Sequence, residues 1–236
     1  MSCTGNNVFK YLIFLNKIHV DTFLFRDSDE IDLISPSRIT HSLNICVNPA
    51  TLIPDQVSDM TGLTNELLEH QPKFSSKTVQ LIAAFLTNLP QPYCLIAHNG
   101  FKYDFPLLKA EILKTGYTEN IDYYVLDSLQ ALKTILILRE EENTLQKKPR
   151  LRDSQVQPRN SELLREQSSK KKFGRPPKSF ALSSLHQHMF GVKPKKVHGA
   201  SHDVHSLIRV CASSANHFVE YSKRHCEKLS SVKQMW

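Results

Sequence analysis

Apolar and polar positions divide the chain into three kinds of stretch. Near the start, Val8 to Leu15 is apolar and aromatic, Ile18 to Phe25 is rich in β-branched and aromatic residues, and Ile39 to Val47 alternates until Asn48-Pro49 ends it. Branched and aromatic side chains pack well on a pleated surface, so these runs predict three strands in an antiparallel meander. Thr61-Gly62-Leu63-Thr64 breaks the pattern and places Thr64 to cap a short helix at Asn65 to His70. From Ser76 to Asn88, Val79, Ile82, Ala83 and Leu86 recur at helical spacing until Pro90 and Pro92 forbid continuation. Strand-then-helix units follow, Cys94 to Ala97 with Pro106 to Thr115, then Tyr123 to Leu126 with Leu129 to Arg139, the last capped by Asp127 or Ser128. Strands first and strand–helix alternation afterwards predict an α/β fold with a central mixed β-sheet flanked by helices.

Periodicity is lost from Glu140 to Ser179, a polar stretch containing Pro149, Pro158, Pro176 and Pro177. It is far longer than the roughly 12–15 residues at which structureless loops become uncommon, and residues 140–179 read as a disordered insertion. A helix at Ala181 to Phe190, a basic turn at Lys193 to Lys196 and a final helix from Ser201 to Arg224 complete the pattern. One domain over residues 8–226 is expected, since 236 residues can bury a full core, with 1–7 and 227–236 as tails.

Charge sharpens this division. The formal net charge is +7, yet Leu145 to Lys178 alone holds eleven Lys and Arg against Asp153, Glu162 and Glu166. The basicity therefore belongs to the insertion and not to the fold. Five cysteines (Cys3, Cys46, Cys94, Cys211, Cys226) lie far apart without a C-x-x-C pair, as reduced thiols of an intracellular protein would. Lys10 interrupts the first apolar run, and no run is long enough to span a bilayer, so no membrane partner is expected. Nucleus or cytoplasm, or both, are the expected compartments.

Candidate chemistry lies in two segments. In Leu95-Ile96-Ala97-His98-Asn99-Gly100-Phe101-Lys102-Tyr103-Asp104-Phe105-Pro106, Asp104 stands at a helix start directly after a buried strand. Taken alone, it reads as a capping carboxylate that complements the helix dipole. In His198-Gly199-Ala200-Ser201-His202-Asp203-Val204, five positions separate His198 from Asp203. That spacing lets a loop histidine lean over a site whose metal is held by a first-turn aspartate, although a solvated histidine-rich helix entry would look similar.

Together the two segments resemble the DEDDh exonucleases of the ribonuclease H-like superfamily, and most closely the three-prime repair exonucleases. Ala97 to Glu111 is similar almost throughout to the family's A-H-N-G-x-x-Y-D-F-P-L-L-x-A-E, and H-G-A-S-H-D-V partly meets its H-x-A-x-x-D-V. Thr61-Gly62-Leu63, Val125 to Leu129 and Phe180 to Leu185 are further echoes. The resemblance implies a ribonuclease H-like exonuclease fold and a 3′-to-5′ DNA exonuclease serving DNA repair. Asp104 and Asp203 would bind metal, His198 would be the general base, Tyr103 would contact the 3′ end, and His98 and Asn99 would line the substrate pocket. Two Mg²⁺ or Mn²⁺ ions, about 3.5–4 Å apart in such sites, would serve a single-stranded or frayed DNA 3′ end and release mononucleotides. Family analogy also implies a homodimer.

The resemblance fails at the family's first motif, D-x-E-x-T-G after a strand. Leu12-Ile13-Phe14-Leu15 looks like that strand, but Asn16-Lys17-Ile18 follows it, and the abrupt junction looks like a short deletion. Asn16 offers a neutral oxygen and Ile18 none, so roughly two negative charges are missing from a site that must balance up to +4. Asp21, Asp27, Asp29, Glu30 and Asp32 lack the D-x-E spacing that turns two carboxylates to one side of a strand. Two expectations follow: an exonuclease with weakened metal binding, or a catalytically inactive nucleic-acid-binding relative.

Two other features have bland and functional readings. His186, His188, His198, His202 and His205 cluster without a cysteine or a third ligand at fixed spacing, and read as solvated or packing histidines in preference to a zinc site. Lys170, Lys171, Lys172 and Arg175 read as nucleic-acid contacts or an import signal, against a solvated loop.

Overall fold

The computed structural model describes residues 8–13, 17–24, 39–49, 51–89, 91–117, 122–146, 177–194 and 199–234. The three early runs are strands β1 (Val8–Ile13), β2 (Lys17–Leu24) and β3 (Ile39–Cys46). They pair antiparallel, β1 with β2 and β2 with β3, as the meander pattern predicts. After α1 (Asp55–Thr61), α2 (Asn65–Glu69) and α3 (Ser76–Thr87), the chain returns as β4 (Tyr93–Ala97), parallel to β1. Then α4 (Asp104–Lys114) leads to β5 (Tyr124–Asp127), parallel to β4, and α5 (Ser128–Gln146) follows directly. Helices α6 (Leu182–Phe190), α7 (Ala200–Ala212) and α8 (Ala215–His225) precede a two-residue strand, β6 (Glu227–Lys228), antiparallel to β5. The sheet order is β3-β2-β1-β4-β5-β6.

Two buried layers follow from strand alternation. In β4, Leu95 and Ala97 face a core shared with α3 and α4, while Cys94 and Ile96 face the core built by α5, α6, α7 and α8. Both faces of β4 are covered, so it reads as a continuous apolar run. Burial decides the helices as well. The Ser75–Thr78 capping box of α3 contributes about 1 kcal/mol. Burying Val79, Ile82 and Leu86 contributes about 1.5–3 kcal/mol each, so packing dominates.

The structure departs from the sequence pattern at four places. Helix α1 has no buried residue, so no apolar stripe announces it. Helix α5 runs past Arg139 to Gln146, into the stretch read as a disordered insertion; residues 147–176 lie outside the described residues. The single final helix is two helices, α7 and α8, because Ser213 and Ser214 break it; the Ser213 hydroxyl donates to Val210 O at 2.7 Å. Residues 227–234, read as tail, carry β6 and bury Leu229 and Val232, and Lys109 Nζ donates to Ser230 O and Val232 O at 2.6 Å each.

Candidate active site

The parallel strands β4 and β5 end side by side, the place where open α/β sheets form crevices. At the end of β5, buried Asp127 organises the turn that leaves β4. Its Oδ1 accepts from the backbone N–H groups of Asn99 and Leu129 at 2.9 Å each, and its Oδ2 accepts from Phe101 N at 3.3 Å. These bonds hold Asn99 at φ 62°, left-handed backbone that asparagine tolerates better than most residues. Gly100 follows where a Cβ would lie 2.6 Å from the Phe105 ring and 2.7 Å from Ala97 Cβ. Such a glycine is the only residue that fits, and the tight turn delivers Asp104 into the first turn of α4.

His98 ties this turn to two other segments. Its Nε2 donates to Phe180 O at 2.9 Å, and its Nδ1 lies 3.0 Å from Ser128 Oγ. Burial pushes the His98 pKa down, with Lys133 adding to the effect, against the opposing influence of Phe180 O and Asp127. A neutral ring donating from Nε2 fits both contacts. The ring thereby fastens the segment beyond residue 176 to the ends of β4 and β5.

Asp203 lies in the first turn of α7, after Gly199. Asp104 and Asp203 both line one cavity of about 1090 Å³, together with His98, Asn99 and Tyr103. Each carboxylate stands at the positive end of a helix, where a negative charge is favoured by about 0.3–1 kcal/mol. The opposite polarity is supplied by Lys133 and Lys178, which also line the cavity. Tyr103, 48% exposed, offers its ring at the cavity edge. Thr61 and Leu63 line the far wall, with the Thr61 hydroxyl donating to Val57 O at 2.7 Å.

The structure places Asp104, Asp203, Tyr103, His98 and Asn99, all named from the sequence, around one cavity. His198, Asn16, Lys170, Lys171, Lys172 and Arg175 lie outside the described residues. Ile18 is fully buried inside β2, packed toward the α3 and α4 side, so it does not stand at the cavity where a second carboxylate was sought. Among the described residues, Asp104 and Asp203 are the only carboxylates lining the cavity. Lys133 went unnoticed in the sequence, and Phe180 was named only as the start of an echoed segment; the Lys133 ammonium sits 5.7 Å from the Phe180 ring centre. Their signal was the F-A-L-S-S-L echo and a basic residue in the second turn of α5.

Sequence comparison decides what this cavity is related to. The chain is 31% identical over 204 residues to three-prime repair exonuclease 1 of Bos taurus, covering 85% of the chain and 55% of that protein. It is 28% identical over 210 residues to three prime repair exonuclease 2 of Mus musculus, covering 88% of the chain and 76% of that protein. Its relatives are three-prime repair exonucleases. The chain spans little more than half of the first, and no family model matches it. Among solved structures, the nuclease domain of 3′hExo, a DEDDh family member bound to rAMP, superposes with a TM-score of 0.54 at 11% identity, covering 95% of this chain and 98% of that one. E. coli exonuclease I in complex with a dA16 oligonucleotide does so with a TM-score of 0.57 at 14% identity, covering 91% and 42%. The fold is the ribonuclease H-like exonuclease fold. Among the described residues, no helix is long and apolar enough to cross a membrane.

Proposed function

We propose that this chain is a metal-dependent 3′-to-5′ DNA exonuclease whose two-ion site is weakened. The observation that carries the reading is that Asp104 and Asp203, on the first turns of two different helices, line one cavity with Lys133 and Lys178. Two carboxylates suit one hard divalent ion, Mg²⁺ or Mn²⁺, whose other ligands are water and phosphate oxygen. They do not balance two ions, which need more anionic ligands than the described cavity supplies. A bound ion would polarise the scissile phosphate.

The chain's own residues have separate tasks. Asp104 and Asp203 hold the ion, and His198, placed five positions before Asp203, takes the proton of the attacking water. Tyr103 packs on the terminal nucleotide, which every base allows because every base has a π-face. Asn99 and the edge of His98 border that nucleotide, while Lys133 and Lys178 attract its phosphates. Exonuclease I holding an oligonucleotide supports single-stranded DNA as the substrate class. The basic run Lys170, Lys171, Lys172 and Arg175, just before Lys178 in sequence, adds positive charge that attracts phosphates. The homodimer remains part of this reading by family analogy, and sedimentation of the purified chain tests it.

The test is a 3′-labelled oligonucleotide incubated with purified protein while Mg²⁺ or Mn²⁺ is titrated. A ladder of shortened products that disappears in Asp203→Ala supports the enzyme. Binding without shortening, at any metal concentration, supports the second reading, an inactive nucleic-acid-binding relative. That reading is favoured by the two carboxylates that line the cavity among the described residues.

A further inference from the structure

Strand β2 buries something unusual on the side opposite Ile18 and Val20. His19 and Asp21, two positions apart and so on one face, are 2% and 1% exposed. Ionisable groups this deep are unfavourable without compensating partners. Their neighbour across the gap is His205 of α7. Its Nε2 lies 3.1 Å from Asp21 Oδ2, and His19 Nε2 lies 2.8 Å from the same oxygen. All three atoms fall within 4.8 Å of one another.

The protons make this arrangement more telling. His19 Nδ1 contacts Asn44 Oδ1 at 2.5 Å, and an amide oxygen only accepts, so Nδ1 carries the hydrogen. Its Nε2 then aims at a carboxylate oxygen. Both atoms are buried, and among the described residues neither His19 Nε2 nor Asp21 Oδ2 has a hydrogen-bond partner outside this cluster. A buried carboxylate oxygen facing two imidazole nitrogens in a dry layer needs a cation, either a proton on a ring or a metal ion between them. A carbonyl fixing one imidazole nitrogen while the other is left free is the outer-shell pattern of metal-ligating histidines. Burial would raise the Asp21 carboxyl, but contacts with His19 and Ser42 and the charges of His19 and His205 outweigh it and hold it below the ordinary range.

We propose that His19 Nε2, Asp21 Oδ2 and His205 Nε2 form a binding site for a zinc-class divalent ion, distinct from the Asp104–Asp203 cavity. Tetrahedral zinc with bonds of about 2.0–2.1 Å sets its ligand atoms about 3.3 Å apart. The 2.8 and 3.1 Å separations need only a few tenths of an ångström of opening. Two imidazoles and one carboxylate select zinc, cobalt, nickel or copper over magnesium, which prefers oxygen. The His205 side chain is 50% exposed, giving the ion a way in and leaving a fourth position for water. None of the three residues lines the cavity. The ion would clamp β2 to α7 two residues beyond Asp203, and so steady the helix that presents that carboxylate.

The test uses metal-free full chain carrying Asp104→Ala and Asp203→Ala, which removes the cavity carboxylates and makes the result independent of the exonuclease reading. Calorimetric titration with ZnCl₂ is expected to show one equivalent bound, and Co²⁺ to give the visible bands of a tetrahedral site. Adding the half-exposed His205→Ala is expected to weaken Zn²⁺ binding on the order of 100-fold or more and to abolish the zinc-dependent rise in Tm. His205 is chosen because His19→Ala and Asp21→Ala disturb a buried layer and can unfold the chain. Absence of Zn²⁺ binding overturns the proposal and leaves an ion-paired cluster. Binding that survives His205→Ala but is lost in His202→Ala overturns it too, because the ion then sits in the cavity.

Discussion

The carboxylate of Asp127 accepts the backbone N–H of Asn99 at 2.9 Å, and through that bond the end of β5 shapes the turn that presents Asp104. Asp127→Ala strands three backbone donors, at Asn99, Phe101 and Leu129. Each unsatisfied buried donor costs about 1–3 kcal/mol, with some recovered by water. We expect a loss of about 3 kcal/mol in urea unfolding and a larger loss of nuclease activity than of folded protein. Unchanged stability would mean that the turn holds itself.

Gly100→Ala tests the same turn sterically. The added methyl meets the Phe105 ring at 2.6 Å, and that ring is fully buried, so it has nowhere to retreat. Overpacking of this kind costs about 1–3 kcal/mol, measured as a lower urea midpoint at constant m-value.

Stability should depend on pH through His98. The folded chain holds this ring below its ordinary pKa of 6.5, mainly by burial, while the unfolded chain does not. The unfolded state therefore binds more protons, and stability rises with pH. The contribution is present above 6.5 and is lost as pH falls toward the depressed folded value. His186, pushed down by burial in the same way, adds to the trend. Thermal melts between neutral and mildly acidic pH are expected to show Tm falling with acid, and His98→Gln to flatten part of the slope.

Divalent metal binding at the cavity should need both helix-terminal carboxylates. We expect Asp104→Ala and Asp203→Ala each to weaken Mn²⁺ binding by about tenfold or more, followed by calorimetry in the absence of DNA. One equivalent, not two, is the expected stoichiometry when Zn²⁺ is excluded.

The lysines on the cavity wall should contribute to DNA affinity mainly through counterion release. Lys133→Ala is expected to lower the slope of log K against log salt for a single-stranded oligonucleotide by about 0.7, the value for one lost phosphate contact. An unchanged slope would place the strand elsewhere.

Much of the site was legible without coordinates because it is built from local chemistry. The A-H-N-G turn needs a residue that tolerates positive φ, then one without a side chain, and a first-turn carboxylate after them, all within Ala97 to Asp104. The same holds for Asp203 in the first turn of α7 and for the apolar alternation of β4. Elements with little or no buried surface, such as α1, or of two residues, such as β6, leave no period to read.

The sequence by itself determined the order of β1 to β5 and of the helices with an apolar period, the two carboxylates at helix starts and the kinship of their motifs. Only the tertiary structure decided that Asp21, a lone acid inside a strand, would be buried against His19 and His205. Strand alternation says that His19 and Asp21 share a face, but not which helix covers it. That is settled by the long-range docking of α7 across β2, a contact between Asp21 and His205, 184 positions apart, which no local pattern encodes. The same docking determines whether a histidine two residues from Asp203 faces solvent or a buried carboxylate.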